Sequence, residues 1–154
     1  MSEYYSIPPK LYDDQFWWKK NDIEFWKSLF NDSSKTILEF AAGTGRLAIP
    51  LIREGCSYLG VEISREYVDY AHNKHNLQSM ICGDMRSIDL DKTFDSLFIG
   101  FNSFSHLLNS TDVSSFFNTV KRHMHNKSHF YIDLFMPHTS FLYRQQNQKK
   151  KIMN

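Results

Sequence analysis

The sequence predicts an α/β fold, a doubly wound parallel sheet flanked by helices and preceded by an aromatic helix. Three observations predict it. Short apolar runs alternate with stretches of helical period along the whole chain. Leu97-Phe98-Ile99 is continuously apolar, as a strand covered on both faces requires. The run Ile37-Leu38-Glu39-Phe40 leads directly into Ala41-Ala42-Gly43-Thr44-Gly45-Arg46, which reads as a buried strand, a glycine turn and the start of a helix. Alternation of strand and helix implies parallel strands joined by right-handed crossovers.

The elements follow in order. Met1 to Lys10 is polar and aromatic, carries Pro8-Pro9 and reads as an extended arm. From Asp13 a helical period appears in Phe16, Trp17, Ile23, Phe25, Trp26, Leu29 and Phe30, with Asp13 or Asp14 as its cap. Asn31-Asp32-Ser33-Ser34 is a turn. The central strand covers Thr36 to Ala41, and a helix from Gly45 to Glu54 ends at Gly55; Pro50 inside it predicts a kink. A second strand, Tyr58 to Val61, ends at Glu62, and Ser64 caps a helix that reaches His75. Ser79 to Cys82 and Phe94 to Phe101 are the third and fourth strands. Thr111 caps a helix to Met124 whose last turn carries Lys121, Arg122 and His123. His129 to Phe135 is the fifth strand, apolar on both faces. These elements divide the chain into an arm and helix over 1–34, a sheet domain over 35–138 and a flexible tail over 139–154, where Gln145 to Lys151 is of low complexity.

Composition narrows the function. A chain of 154 residues with 42% hydrophobic and 23% charged residues suits one globular domain. A formal net charge of +1 offers no electrostatic argument for a nucleic-acid or anionic-membrane partner. Cys56 and Cys82 sit among apolar neighbours and read as buried, reduced thiols. No apolar run has membrane length and no signal-peptide pattern opens the chain, so the expected compartment is the cytoplasm. His123 and His125, two apart on the expected helix, point to different sides, and no metal site is expected.

In such sheets ligands bind beyond the carboxyl ends of the strands, at the switch point. The candidates are therefore Glu39 to Arg46, Glu62, Asp84-Met85 and Phe101-Asn102. Gly43-Thr44-Gly45-Arg46-Leu47-Ala48 matches G-x-G-x-x-A, and Glu62 lies near the spacing of a ribose-binding acid, so a dinucleotide site is one reading. Three features favour another. Glu39 beside the glycine turn suits a ligand cation better than a pyrophosphate. Asp84 can bond an exocyclic amine while Met85 packs an adenine face. Asn102 can bond the polar end of a ligand. The crevice is acidic and partly apolar, which favours a nucleoside without phosphates.

These residues carry a resemblance. Leu38 to Arg46, Gly60-Val61-Glu62-Ile63-Ser64, Gly83-Asp84-Met85-Arg86 and Phe101-Asn102-Ser103-Phe104-Ser105-His106-Leu107 resemble, in order and spacing, the class I S-adenosylmethionine-dependent methyltransferases. Leu11-Tyr12-Asp13 and Asp22-Ile23-Glu24-Phe25 resemble the small-molecule branch of that family. The resemblance implies a Rossmann-like sheet in order 3-2-1-4-5 and S-adenosylmethionine as cofactor. It places the turn of Ala41, Gly43, Thr44 and Gly45 under the methionine part, Glu62 on the ribose hydroxyls, and Asp84 and Met85 at the adenine, with Ile63 also among the cofactor-binding residues. Arg46 is either near the cofactor carboxylate or a solvated arginine. Tyr12 either closes over the cofactor or packs on the sheet. His106 is either structural or a base on the substrate side.

The sequence also departs from the family pattern. The sixth and seventh strands usual in the family have no candidates after Phe135. The resemblance then implies methyl transfer to nitrogen or oxygen of a small molecule, with nucleic acid not expected. The alternatives are a catalytically silent cofactor-binding subunit or a truncated gene product. A second copy or a partner chain is expected to cover the fifth strand.

Overall fold

The computed structural model of the protein describes residues 7–16 and 19–136, together with Thr139, Ser140 and Tyr143. Helices α1 (Pro9–Phe16) and α2 (Asn21–Leu29) precede the central strand β1 (Thr36–Phe40). Then come α3 (Ala48–Arg53), β2 (Ser57–Glu62), α4 (Arg65–His75), β3 (Met80–Cys82), β4 (Phe94–Ile99), a 3₁₀ turn (Ser103–His106), α5 (Ser110–Arg122) and β5 (Met124–Ile132). Among the described residues five strands form one sheet in the order β3-β2-β1-β4-β5. Every neighbouring pair is parallel, as the alternation of elements predicts.

Burial on both faces explains the apolar strands. Ile37, Tyr58 and Phe98 meet Trp26, Phe30, Leu51 and Val68 on one face, under α2, α3 and α4. Leu38, Phe40, Val61, Leu97 and Ile99 meet Phe116 and Val120 of α5 on the other. Helix α2 is held by rings: Trp26 lies 4.5 Å from Phe98 and 5.6 Å from Phe30, and Phe30 lies 5.8 Å from Tyr131, centroid to centroid. Aromatic pairs at these separations add to the stabilisation from buried area alone.

Several expectations are corrected. The single N-terminal helix is two, and Pro9, expected in an extended arm, opens α1. Asp13 and Asp14 lie inside α1 and cap nothing; Trp17, like residues 1–6 of the expected arm and most of the expected tail, lies outside the described residues. The helix expected from Gly45 begins at Ala48, because residues 43–47 are spent on consecutive turns. Pro50 then stands in the first helical turn, where a missing N–H costs little, and no kink arises. Ser64 caps α4 as expected, with its Oγ accepting the Tyr67 N–H, but Asn109 rather than Thr111 caps α5, accepting the Asp112 N–H at 2.8 Å. Phe101 lies beyond β4 in a turn. Strand β5 spans Met124–Ile132, earlier than expected, so Leu134 and Phe135 fall outside it and are exposed. The polar stretch before His129 joins the strand through an irregularity in its pairing with β4, held by the Ser128 hydroxyl, which donates to the Phe94 carbonyl. His123 and His125 share no helix: the first is the C-cap of α5 and the second lies in β5. Cys56 is a buried free thiol and Cys82 is only half-buried.

One glycine in β2 makes room for two neighbouring elements. A Cβ on Gly60 would lie 2.4 Å from Met80 Sδ, 2.8 Å from the Tyr58 hydroxyl and 3.0 Å from Ala42 Cβ. Gly60→Ala is therefore expected to lose about 1–3 kcal/mol of stability, the usual cost of overpacking. Urea denaturation of the variant beside the parent checks this.

Candidate functional site

The carboxyl ends of the strands open into left-handed backbone. Ala41, Gly43 and Gly45 have φ of 54°, 61° and 87°, and Phe101 and Asn102 have φ of 53° and 60°. Three of these five are not glycine, and residues held there cost conformational energy that the surroundings must offset. The strained corners after β1 and β4 flank the point where the chain reverses direction across the sheet.

Glu62, the last residue of β2, ties the glycine turn in place. One carboxylate oxygen accepts the Gly43 N–H at 2.9 Å and the other accepts the Ser64 N–H at 2.9 Å. The side chain is buried, and burial raises its pKa against the opposing effect of these N–H donors. The Ile63 N–H also acts on the carboxylate, and its two oxygens together still have acceptor capacity to spare.

Glu39, one strand over, is more deeply withdrawn. It is 4% exposed, and the Tyr58 hydroxyl donates to its Oε2 at 2.5 Å. Burial pushes its pKa up to about 8, while Tyr58 and the Arg46 charge oppose that rise and Glu62 and Asp22 add to it. Glu39 lines a small hollow with Tyr12, Thr44, Arg46 and Phe101.

The two N-terminal helices are bolted to the turn. Asp22 of α2 takes the Arg46 guanidinium as a two-pronged fork, at 2.9 and 2.7 Å, and the Lys19 carbonyl accepts a third bond at 2.9 Å. Such a fork fixes orientation as well as charge. Asp13 of α1 accepts from the Thr44 hydroxyl and meets His75 Nε2 of α4 at 3.3 Å. The Tyr12 ring stands 3.8 Å from where a Cβ on Gly43 would be, so α1 covers the turn directly. A cavity of about 230 Å³ remains between Tyr12, Phe16, Ile23, Thr44 and His75.

On the other side of the turn lies a cavity of about 390 Å³, lined by Ala41, Val61, Ile63, Asp84, Met85 and His106 among others. Asp84 is engaged by Arg86, whose Nε and Nη2 donate to it and whose backbone N–H does so as well. Those bonds hold the Asp84 carboxyl below its ordinary range. Arg86 also reaches Asp112 of α5 at 2.9 Å, so it bridges the two walls of the cavity. His106, half-buried on the rim, has its pKa lowered by burial. Another cavity, of about 760 Å³, lies elsewhere: it follows β5 and α2 from Lys19 and Phe25 to Asp133 and Leu134.

The structure thus brings Tyr12, Glu39, Ala41, Thr44, Arg46 and Phe101 around one hollow and Ile63, Asp84, Met85 and His106 around another, with Gly43 and Glu62 between. Arg46 gives its fork to Asp22 and a further bond to the Lys19 carbonyl, and it still lines the hollow beside Glu39. Asn102 uses its carboxamide oxygen to accept the Phe135 N–H at 3.2 Å, which pins the segment after β5. Sequence reasoning assigned no site role to Asp13, Asp22, Tyr58, Arg86 or Asp112, although Asp13, Asp22 and Arg86 stand in the segments that carry the resemblance. Tyr58 had one readable signal, a glycine two residues on that frees space beside it; Asp13, Asp22 and Asp112 act through partners distant in sequence, and Arg86 joins its near neighbour Asp84 to the distant Asp112.

Comparison with known proteins decides the family. Residues 37–127, more than half of the chain, match the family model described as a methyltransferase domain. The chain belongs to the class I S-adenosylmethionine-dependent methyltransferases. YqeM of Bacillus subtilis (strain 168), provisionally named a methyltransferase, is 33% identical over 109 residues, covering 68% of this chain and 43% of YqeM. DesVI of Streptomyces venezuelae has the same fold, with a TM-score of 0.71 at 20% identity over 82% of this chain and 56% of that one. The glycopeptide N-methyltransferase MtfA, solved with S-adenosyl-L-methionine, gives 0.64 at 23% identity over 72% and 52%. This methyltransferase-family chain therefore spans about half the length of the relatives it matches.

Its buried acids set the expected pH response. The folded-state pKa of Glu39, about 8, lies above its ordinary value of 4.5. The stability this contributes is present in full below about pH 4.5 and is lost as pH rises through about 8. Glu62 shifts in the same direction. Unfolding free energy is expected to fall by about 2 kcal/mol from about pH 6 to 9, and Glu39→Gln is expected to remove most of that slope. Urea melts at several pH values measure it.

Proposed function

We propose that the chain binds S-adenosylmethionine across the ends of β1, β2 and β4 and serves methyl transfer to a nitrogen or oxygen of a small molecule. The observation that carries this reading is Glu62, a buried carboxylate fixed by the Gly43 and Ser64 N–H groups with acceptor capacity left over. A carboxylate so held suits a pair of ribose hydroxyls. The cavity of about 390 Å³ beside it has the size of a small-molecule site, and its Val61, Ile63 and Met85 offer apolar cover to a base. Asp84, kept ionised by Arg86, is the acceptor for an exocyclic amine.

The remaining roles follow the resemblance to the family. The turn of Ala41, Gly43, Thr44 and Gly45 lies under the methionine part, with Tyr12 above it and Glu39 toward the ammonium. Arg46 acts through Asp22, keeping α2 against the turn, and Phe101 and Asn102 form the opposite lip. When bound, the cofactor supplies a methyl group on a positively charged sulfur, already activated for attack. The tasks left to protein are to hold the acceptor in line and take its proton. Burial keeps His106 neutral near physiological pH, as a base on the acceptor side requires. The near-neutral net charge favours a small acceptor over nucleic acid. MtfA, named a glycopeptide N-methyltransferase, offers a parallel for the acceptor class. Among the described residues no helix is long and apolar enough to cross a membrane.

The outer edge of β5 has no partner strand among the described residues. We propose that a strand from a second copy or another chain covers it and helps to frame the acceptor. Light scattering of the chain, alone and mixed with the products of neighbouring genes, should then find an assembly larger than one chain; a monomer at high concentration in both, with full methyltransferase activity, overturns this part.

Calorimetry tests the cofactor assignment. S-adenosylmethionine should bind, and Glu62→Ala should weaken it roughly ten- to a hundredfold, since hydrogen bonds to a charged group contribute about 1.5–3 kcal/mol. Unchanged affinity in the variant, or tight binding of a dinucleotide instead, rejects it. Transfer of a tritiated methyl group to small molecules separates an enzyme from a silent binding subunit.

A further inference from the structure

Tyr58 and Glu39 form a pair that the proposed reaction does not use. Both side chains are buried, and among the described residues Tyr58 is the hydrogen-bond donor to Glu39. The pair is built in: β2 carries Gly60 beside it, and any Cβ there would lie 2.8 Å from the Tyr58 oxygen. Yet Glu39 is not sealed off, since it lines the hollow under Tyr12 together with Leu47, Phe101 and the glycine turn.

The charges facing Glu39 come from every side. Arg46 attracts a negative charge there; Glu62 from the end of β2 and Asp22 from α2 repel one. Asp22 already takes up the Arg46 fork, so the guanidinium is shared rather than devoted to Glu39. Tyr12 from α1 and Tyr58 from β2 supply neutral hydroxyls. In this setting the free protein favours the neutral acid, because a buried carboxylate without its own counter-ion is costly.

We propose that Tyr58 and Glu39 are a proton-linked sensor of the cofactor's ammonium group: its arrival in the hollow turns the Glu39 carboxyl into a carboxylate, and one proton leaves to solvent. This rests on the cofactor assignment above. The charges balance, since the positive group enters as the proton departs and the hollow gains an ion pair. Tyr58 is the positioning residue. Its hydroxyl holds the carboxyl in place in both states and favours the ionised one.

The test is calorimetric titration of S-adenosylmethionine in two buffers of different protonation enthalpy, repeated across pH. Close to one proton should be released per cofactor at about pH 7, falling toward none above about pH 9, because Glu39 titrates at about 8 in the free protein. Glu39→Gln should bind without that release; the cofactor's own amine is common to both proteins, so the difference isolates Glu39. Tyr58→Phe removes the donor that favours the carboxylate and should move the decline to higher pH, an effect that mere loss of packing would not produce. Binding with no proton release, or with equal release in Glu39→Gln, overturns this inference and leaves the cofactor assignment standing. Absence of binding overturns both.

Discussion

The hydrogen bond from the Gly43 N–H to the Glu62 carboxylate is the contact on which the rest of the site depends. It joins the exits of two adjacent parallel strands, which otherwise diverge once their ladder ends. Ala41 and Gly43 are left-handed on either side of Ala42, and that backbone stays folded back only while something holds it. The Ala42 N–H, bonded to the Val61 carbonyl at 3.1 Å, extends the ladder as far as it can reach. Beyond that point a side chain must take over from the backbone, and Glu62 does so.

Everything placed on the turn inherits its position from this contact. Thr44 presents its hydroxyl to Asp13 and so brings α1 over the crevice. Arg46 presents its fork to Asp22 and so seats α2, whose Trp26 and Phe30 then pack on β4 and β5. The two helices that precede the sheet are thus held to the turn by hydrogen bonds to carboxylates, and α2 is held to the sheet by rings as well. The polar end can rearrange without loss of the aromatic end, because ring packing is non-directional in comparison with a two-pronged fork.

Much of this was legible in the sequence. Strand identity, the parallel order and the four site segments follow from apolar runs and the glycine turn, since burial on both faces leaves a strong local signature. Boundaries were less legible for identifiable reasons. β5 begins in polar residues because an irregular pairing and the Ser128 hydroxyl support them, which no periodicity reveals. The start of α3 was misplaced because Gly45 fits a turn as well as a helix terminus. Within the site, Glu39 and Glu62 were found by position after a strand, whereas Asp22 and Asp13 were not. Their importance lies in partners 24 and 31 residues away, a relation set by tertiary packing alone.

The irregular pairing in β5 has a further consequence, for the grammar of assembly along the sheet edge. His125, Asn126 and Lys127 make the first half of that strand polar, and the break in register there distorts its outer row of backbone groups. Polar side chains and bulges are devices that discourage indiscriminate edge pairing. The regular half, Phe130 to Ile132, lies at the end nearest the crevice and borders the cavity of about 760 Å³. The two halves of the edge therefore differ: the polar, irregular half disfavours strand pairing, and the regular half lies at the crevice end of the sheet. A strand of the proposed partner that paired with the regular half would stand beside the glycine turn, so that binding a partner and framing an acceptor would be one event.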